Sequence, residues 1–276
     1  MERSRRVYPA QRSLNGWLSG LLLFLSAVVI LSGLVWRGED KGISIQLASS
    51  PTPSPLNETF DETPAQREVT LPGGEWYALQ LGAFEQEEAA GKLGEQYALR
   101  GAAGYVWHDG RYRTLAAVYP LKEDAQQVRR QLSEKHDVEC YLYTISMSAL
   151  QIRIKGMQGQ IEILEASFLH AEEIIRCLYR LSSELDRQEK TASEVVEELK
   201  GIGDQASAVL LRLRQRFDPG RNEAVSGMVC FFETYLSFVS SLSEEMSAVG
   251  TGAKLKYQTL EALHCLWQVY DSISNT

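Results

Sequence analysis

The sequence predicts an α+β protein in three parts: one transmembrane helix, a small βαββαβ domain and an all-α helical bundle. Three observations carry this. Residues 13–36 contain no charge. Between residues 75 and 146, short stretches of alternating apolar and polar residues are separated by two stretches of helical period. From residue 147 onward the pattern is helical throughout. Side chains alternate across a strand but return to the same helix face every three or four positions, so the two periods distinguish the two elements.

The first part is the apolar run. Arg12 and Arg37 bracket 24 uncharged residues rich in Leu, Val and Ile. As a helix this run would be roughly 36 Å long, enough to cross a hydrocarbon core of about 30 Å with some tilt. Trp17 and Trp36 stand near its ends, where interfacial aromatics belong. Arg3, Arg5, Arg6 and Arg12 precede the run, against Arg37 and Lys41 after it. The positive-inside rule then leaves residues 1–12 in the cytoplasm and the bulk outside the cell membrane, a single-pass arrangement. A cleaved signal peptide is the alternative, but its apolar region is usually about 7–15 residues and ends in an A-x-A-like site. Here the run is longer and has no convincing site of that kind.

Charge divides along the same line. Four arginines and one glutamate give residues 1–36 a net charge of +3, and the rest of the chain carries −11. An acidic external body argues against nucleic acid, whose phosphates require a basic surface. Residues 37–74 follow as a linker holding five of the eight prolines, in stretches such as "SSPTPSPLNETFDETP". That composition buries little and favours extended backbone, so the segment reads as a tether from the membrane.

Residues 75–146 form the small domain. Residues 76–81, 103–108, 112–117 and 139–145 read as strands, and residues 85–100 and 122–135 as helices. Asp109-Gly110 between the second and third strands is a strong hairpin signal, because a tight hairpin turn needs positive φ. The order βαββαβ is the split βαβ, or ferredoxin-like, plan. Both helices should cover one sheet face, lined by Ala89, Ala90, Leu93 and Tyr97 and by Ala125, Val128 and Leu132. The other face should stay open.

Residues 147–276 form the helical domain. Leu150, Ile154, Met157, Ile161, Leu164, Phe168, Ala171, Ile175 and Leu178 follow heptad spacing. Further helices are expected over residues 192–217, 222–249 and from about 253 to 273, with breaks at Asp218-Pro219-Gly220 and Gly250-Thr251-Gly252. Short connections predict a bundle. The heptads then serve internal packing, with dimerisation through the first helix as the alternative, and the domain is expected to bind a protein partner or a second copy.

No catalytic or metal chemistry is evident. Cys140, Cys177, Cys230 and Cys265 have no zinc-site spacing, and they read as buried thiols, with one bridge in the helical region as the alternative. His108, His136, His170 and His264 are scattered, and His170–Glu173 reads as a solvated helix turn. The sequence has no HExxH and no GxSxG. The chain is therefore expected to be a non-enzyme with neither cofactor nor metal.

The binding expectation rests on the sheet's second face. Alternation places Trp76 and Gln80 there, and by similar counting Tyr105, Trp107, Tyr141 and Tyr143. Aromatic faces stack on the apolar faces of sugar rings, and a glutamine amide can both donate and accept. The alternative is structural: these rings pack on the helical domain or pair across strands. The run "WYALQLGAF", the helix with "EEAAGKL", then "GRYRTLAAVY" and "KEDAQQVRRQL" together resemble the SPOR (sporulation-related repeat) domain. The resemblance covers about 70 residues. It implies binding to peptidoglycan glycan strands stripped of stem peptides, in cell division or sporulation. By position it carries over Gln80 and Arg113, with Arg111 where family members have an aromatic or long side chain. Ala83 stands where many members have Ser, and Ala117-Val118-Tyr119 then Pro120 replaces the family's corner. The glycan-binding set is therefore Trp76, Gln80, Tyr105, Trp107, Arg111, Arg113 and Tyr141. The alternative function is a membrane-anchored scaffold whose sheet face and helical domain bind proteins.

Overall fold

The computed structural model describes residues 62–218, 220, 222–242 and 247–275. The expected transmembrane helix and the linker up to residue 61 lie outside the described residues. In chain order the elements are β1 (Pro64–Leu71), β2 (Gly74–Phe84), α1 (Glu87–Ala98), β3 (Tyr105–His108), β4 (Tyr112–Tyr119), α2 (Lys122–His136), β5 (Tyr141–Met147), β6 (Leu150–Met157), α3 (Gln158–Asp186), α4 (Ala192–Arg216), α5 (Glu223–Ser241) and α6 (Ala248–Ser274).

Strands β2 to β5 make one four-stranded sheet in the order β3-β4-β2-β5, with every neighbouring pair antiparallel. With α1 and α2 this is the expected βαββαβ plan. Acidic residues open both helices, Glu87 and Glu88 in α1 and Glu123 and Asp124 in α2, where they complement the helix dipole. The helices cover one sheet face over a core of Leu79, Ala102, Ala116, Ala125 and Cys140, with Tyr97, Val128 and Leu132 packed around it. Helix α1 meets the chain entering β3 at two glycines. A Cβ on Gly94 would lie 2.4 Å from the Gly104 carbonyl oxygen, and Gly104 itself has φ +64°. The helix can therefore sit this close only because neither residue carries a side chain.

The tether ends earlier than expected. Residues 64–71 form β1, paired antiparallel with β6 from Pro64↔Met157 to Leu71↔Leu150. Pro64 opens the strand, where a missing N–H is tolerated. Leu150, Ile154 and Met157 therefore belong to a strand and not to the heptad helix. Leu150, Ile152 and Ile154 are part-buried while Gln151, Arg153 and Lys155 are exposed, a period of two. A two-stranded ribbon is marginal alone. This one is held against α3, with Arg67 Nη1 2.6 Å from Glu165 Oε2 and Val69, Leu71, Leu150, Ile152 and Ile154 packed into the main core.

Helices α3 to α6 form a bundle in which consecutive helices pack and α6 returns to α3. The seam residues Ile161, Leu164, Phe168, Ala171, Ile175 and Leu178 are all buried within it. Thr191 and Glu194 form a capping box at the start of α4. The third helix of the bundle stops at Ser241, shorter than expected. The fourth begins at Ala248, where the Ser247 hydroxyl accepts from Gly250 N–H at 3.1 Å. That cap places Gly250-Thr251-Gly252 in the first turns of α6 instead of between helices. By length and composition α5 is apolar enough to cross a membrane. Here it is a bundle helix that buries Val225, Met228, Phe231, Phe232 and Tyr235.

Three other expectations change. All four cysteines are free, but only Cys140 is buried; Cys177 and Cys265 are part-buried and Cys230 is exposed. His170 is not solvated: its ring is stacked on Phe232 at 6.0 Å, with the side chain 13% exposed. The second sheet face is not open. Trp76, Ala78, Tyr105, Trp107, Leu115, Val118 and Ile145 join the ribbon and bundle residues in one continuous core. The cause is chemical: a sheet with large apolar residues on both faces gains by burying both.

Candidate functional site

Strand register assembles the site. Across β2 and β5 the pairs Trp76↔Ile145, Ala78↔Tyr143 and Gln80↔Tyr141 place these residues on the face away from α1 and α2. Across β3 and β4 the pairs Tyr105↔Leu115 and Trp107↔Arg113 do the same. Register shifts on either side of Gln80 set it opposite Leu115 and set Ala83 opposite Arg113. Of the seven expected residues, six share this face. Arg111 instead stands exposed in the hairpin turn.

The face has two ends of different character. At the covered end, Trp107 is 1% exposed. The His264 ring of α6 stacks on it at 4.1 Å and 24°, and Trp267 meets it edge-on at 5.8 Å. The Tyr105 hydroxyl and His264 Nδ1 are hydrogen-bonded at 2.9 Å, and Tyr257 packs on the Tyr105 ring at 5.0 Å. Trp76 meets Tyr179 of α3 edge-on at 6.2 Å. Burial, then the neighbouring His108, depresses the His264 pKa, and burial raises that of Tyr105.

At the uncovered end the polar residues form one network. Arg113 Nη1 donates to Gln80 Oε1 at 2.8 Å. Arg113 Nε donates to both Asp109 oxygens, at 2.9 and 3.0 Å. The Tyr143 hydroxyl donates to Asp109 Oδ2 at 2.7 Å, and the guanidinium lies over the Tyr143 ring, 4.6 Å from its centre. Tyr141 is 59% exposed beside Gln80. Burial pushes the Asp109 pKa up, but the bonds from Tyr143 and Arg113 outweigh it and hold the carboxyl below its ordinary range. Burial, then the bond to Asp109, pushes Tyr143 up to about 12.

Asp109, by sequence a turn residue, is the member of this network that alternation does not point to. Its signal was its place four residues before Arg113 across a tight hairpin, which returns the chain to within reach. Tyr143 was placed on the face by alternation, and its role as the partner of Asp109 emerges only from the register. The network is close to neutral, since Asp109 balances Arg113. A neutral hydrogen-bonding cluster beside an exposed ring suits an uncharged polyol better than a phosphate polymer. Among the described residues no group of His, Cys, Asp or Glu is placed to hold a metal ion.

Residues 73–144 match the family model of the SPOR domain. The match spans the four-stranded sheet with α1 and α2 almost to the end of β5, and leaves the ribbon and the bundle outside it. No match was found among curated proteins or among solved structures.

Proposed function

We propose, on the footing that residues 73–144 form a SPOR domain, that this chain binds peptidoglycan glycan strands lacking stem peptides. It does so as a single-pass membrane protein with its bulk outside the cell, in bacterial cell division or sporulation, and it performs no catalysis. The observation that carries the reading is the Gln80–Arg113–Asp109–Tyr143 network, which lies on the sheet that the SPOR match covers and is open to solvent beside Tyr141. The Arg113 fork holds Gln80 in place, and amide and hydroxyl groups then meet sugar hydroxyl and acetamido groups while Tyr141 supplies a ring face. Orienting these groups before the ligand arrives lowers the entropy cost of binding.

The test is co-sedimentation of the full chain with purified sacculi, before and after amidase removal of stem peptides. Binding should rise after the treatment and fall at least about tenfold, or ~1.4 kcal/mol, in a Gln80→Ala/Arg113→Ala variant. Binding that ignores both the treatment and the double substitution rejects the reading. One observation favours a second reading: Trp76, Tyr105 and Trp107 are buried against α3 and α6. On that reading the domain is a structural part of an envelope scaffold, and its partner is a protein.

A further inference from the structure

We propose that α6 is an internal occupant of the glycan face, so that glycan binding and docking of the helical domain compete for Tyr105 and Trp107. The inference rests on the glycan reading above and adds a regulation to it.

The two sides of α6 differ. Leu255, Ala262, Leu266, Val269 and Tyr270 are buried in the bundle. The side toward the sheet carries Tyr257, Leu260, His264 and Trp267, at the three- and four-residue spacing of one helical stripe. Of these four only Leu260 is fully buried, and Tyr257 remains 41% exposed. Tyr257, His264 and Trp267 each keep some solvent contact, and Leu255, Ala262 and Val269 on the other side are buried away from the sheet.

What the stripe does on the sheet imitates a sugar. The His264 ring lies nearly parallel on the Trp107 indole at 4.1 Å, the stacking that a pyranose face makes on an aromatic ring. The Tyr105 hydroxyl bonds to His264 Nδ1 at 2.9 Å, as it would to a sugar oxygen. The imitation is incomplete. Trp107 Nε1 is buried with no hydrogen-bond partner among the described residues. A buried indole N–H normally finds an acceptor, and a sugar hydroxyl or acetamido oxygen would provide one that imidazole does not. Lys256 latches the helix by donating to the Gly101 carbonyl at 3.1 Å and to Asp186 at 2.8 Å. The covered and uncovered ends are continuous, since Trp107 lies 6.5 Å from the Tyr143 ring. A strand held at Gln80 and Tyr141 can extend onto Trp107 once α6 gives way.

The test uses the full chain with glycan strands freed of stem peptides. Tyr257→Ser and His264→Ser remove the internal ligand without touching the Gln80–Arg113 network. The open face is a minor state, so each tenfold rise in its population raises apparent affinity about tenfold; the releasing substitutions should give at least that gain, and adding Trp107→Ala to the releasing variant cancels it. In the unsubstituted chain, saturating glycan should speed amide hydrogen exchange over residues 256–268. Tyr257 is exposed enough that its variant keeps the test available if the His264 variant does not fold. Unchanged affinity in the folded variants, or unchanged exchange in α6 under saturating glycan, overturns the competition. If Gln80→Ala/Arg113→Ala still abolishes binding in that case, the glycan reading stands alone. Absence of binding by every chain overturns both.

Discussion

Trp107 and Arg113 are direct cross-strand partners on β3 and β4, yet Trp107 is 1% exposed and Arg113 sits in a network reached by solvent. Strand and register are shared, so the difference comes from what lies above. Large rings gain by desolvation and accept a helix as cover. A guanidinium can be covered only if all its partners travel with it, and breaking one leaves an unpaired buried charge. One sheet face thus splits into an aromatic end that makes core and a polar end that stays available.

The largest test of this contrast is removal of the cover. Residues 75–146 alone should expose Trp76, Tyr105, Trp107, Leu115 and Ile145, which are buried in the whole chain. The fragment should bind a hydrophobic dye and self-associate, while the full chain should do neither. A fragment that is monomeric and dye-silent would show that the covered end does not depend on the bundle. Trp107→Ala tests the same point within the chain. It should cost about 3–5 kcal/mol and shift a single urea transition, because one continuous core joins sheet and bundle. Two separated transitions would contradict that continuity.

These contrasts also mark what could be read from the residues. The six alternating or periodic stretches of the small domain were legible because each keeps one period over its own length, and Asp109-Gly110 marks the hairpin between two of them. The ribbon was hidden because β1 lies in proline-rich sequence and its partner is β6, its paired residues 79 to 93 positions away. Within β6, Leu150, Ile154 and Met157 also fit a helical spacing, so period alone did not decide. The site face was legible as a face, but its cover was not. Nothing local in "YVWH" tells a ring meant for ligand from a ring meant for core; that depends on His264, some 157 positions later.

Smaller changes separate the two sides of the sheet. Gly94→Ala acts on the side of α1, where the added Cβ would fall 2.4 Å from backbone oxygen. Backbone cannot swing aside as a side chain does, so a loss of roughly 1–3 kcal/mol is expected. The network of Gln80 and Arg113 lies on the opposite face and should keep its ligand affinity. Thermal unfolding with parallel binding measurements checks both halves of that statement.

Acid should loosen the covered end. The folded pKa of His264 is depressed by burial and then by His108, so the native state prefers the neutral ring. Its contribution is present in full above the unfolded value of about 6.5 and is lost as pH falls through the depressed folded value. His170, also depressed by burial, acts in the same direction. Glu261 and Glu172, whose pKa values are raised by burial, act in the opposite direction, so the His264 share is read as the difference in slope between the parent and His264→Gln from neutral to mildly acidic pH. An identical slope in the variant would place the titration elsewhere.

Arg113→Lys should have the smallest effect on stability and the most selective effect on binding. Its ion pair with Asp109 is partly solvated, with side chains 22% and 21% exposed, and such pairs contribute on the order of 1 kcal/mol or less. Lysine keeps the charge and can still meet Asp109. It has no planar fork, so it cannot hold Gln80 and both oxygens of Asp109 while lying flat over the Tyr143 ring. Gln80 then loses its orientation while the fold remains. Unfolding midpoints within about 1 kcal/mol of the parent, together with a clear fall in glycan affinity, would locate recognition at the uncovered end. Unchanged affinity would mean that charge alone suffices there, and that the fork serves the hairpin and not the ligand.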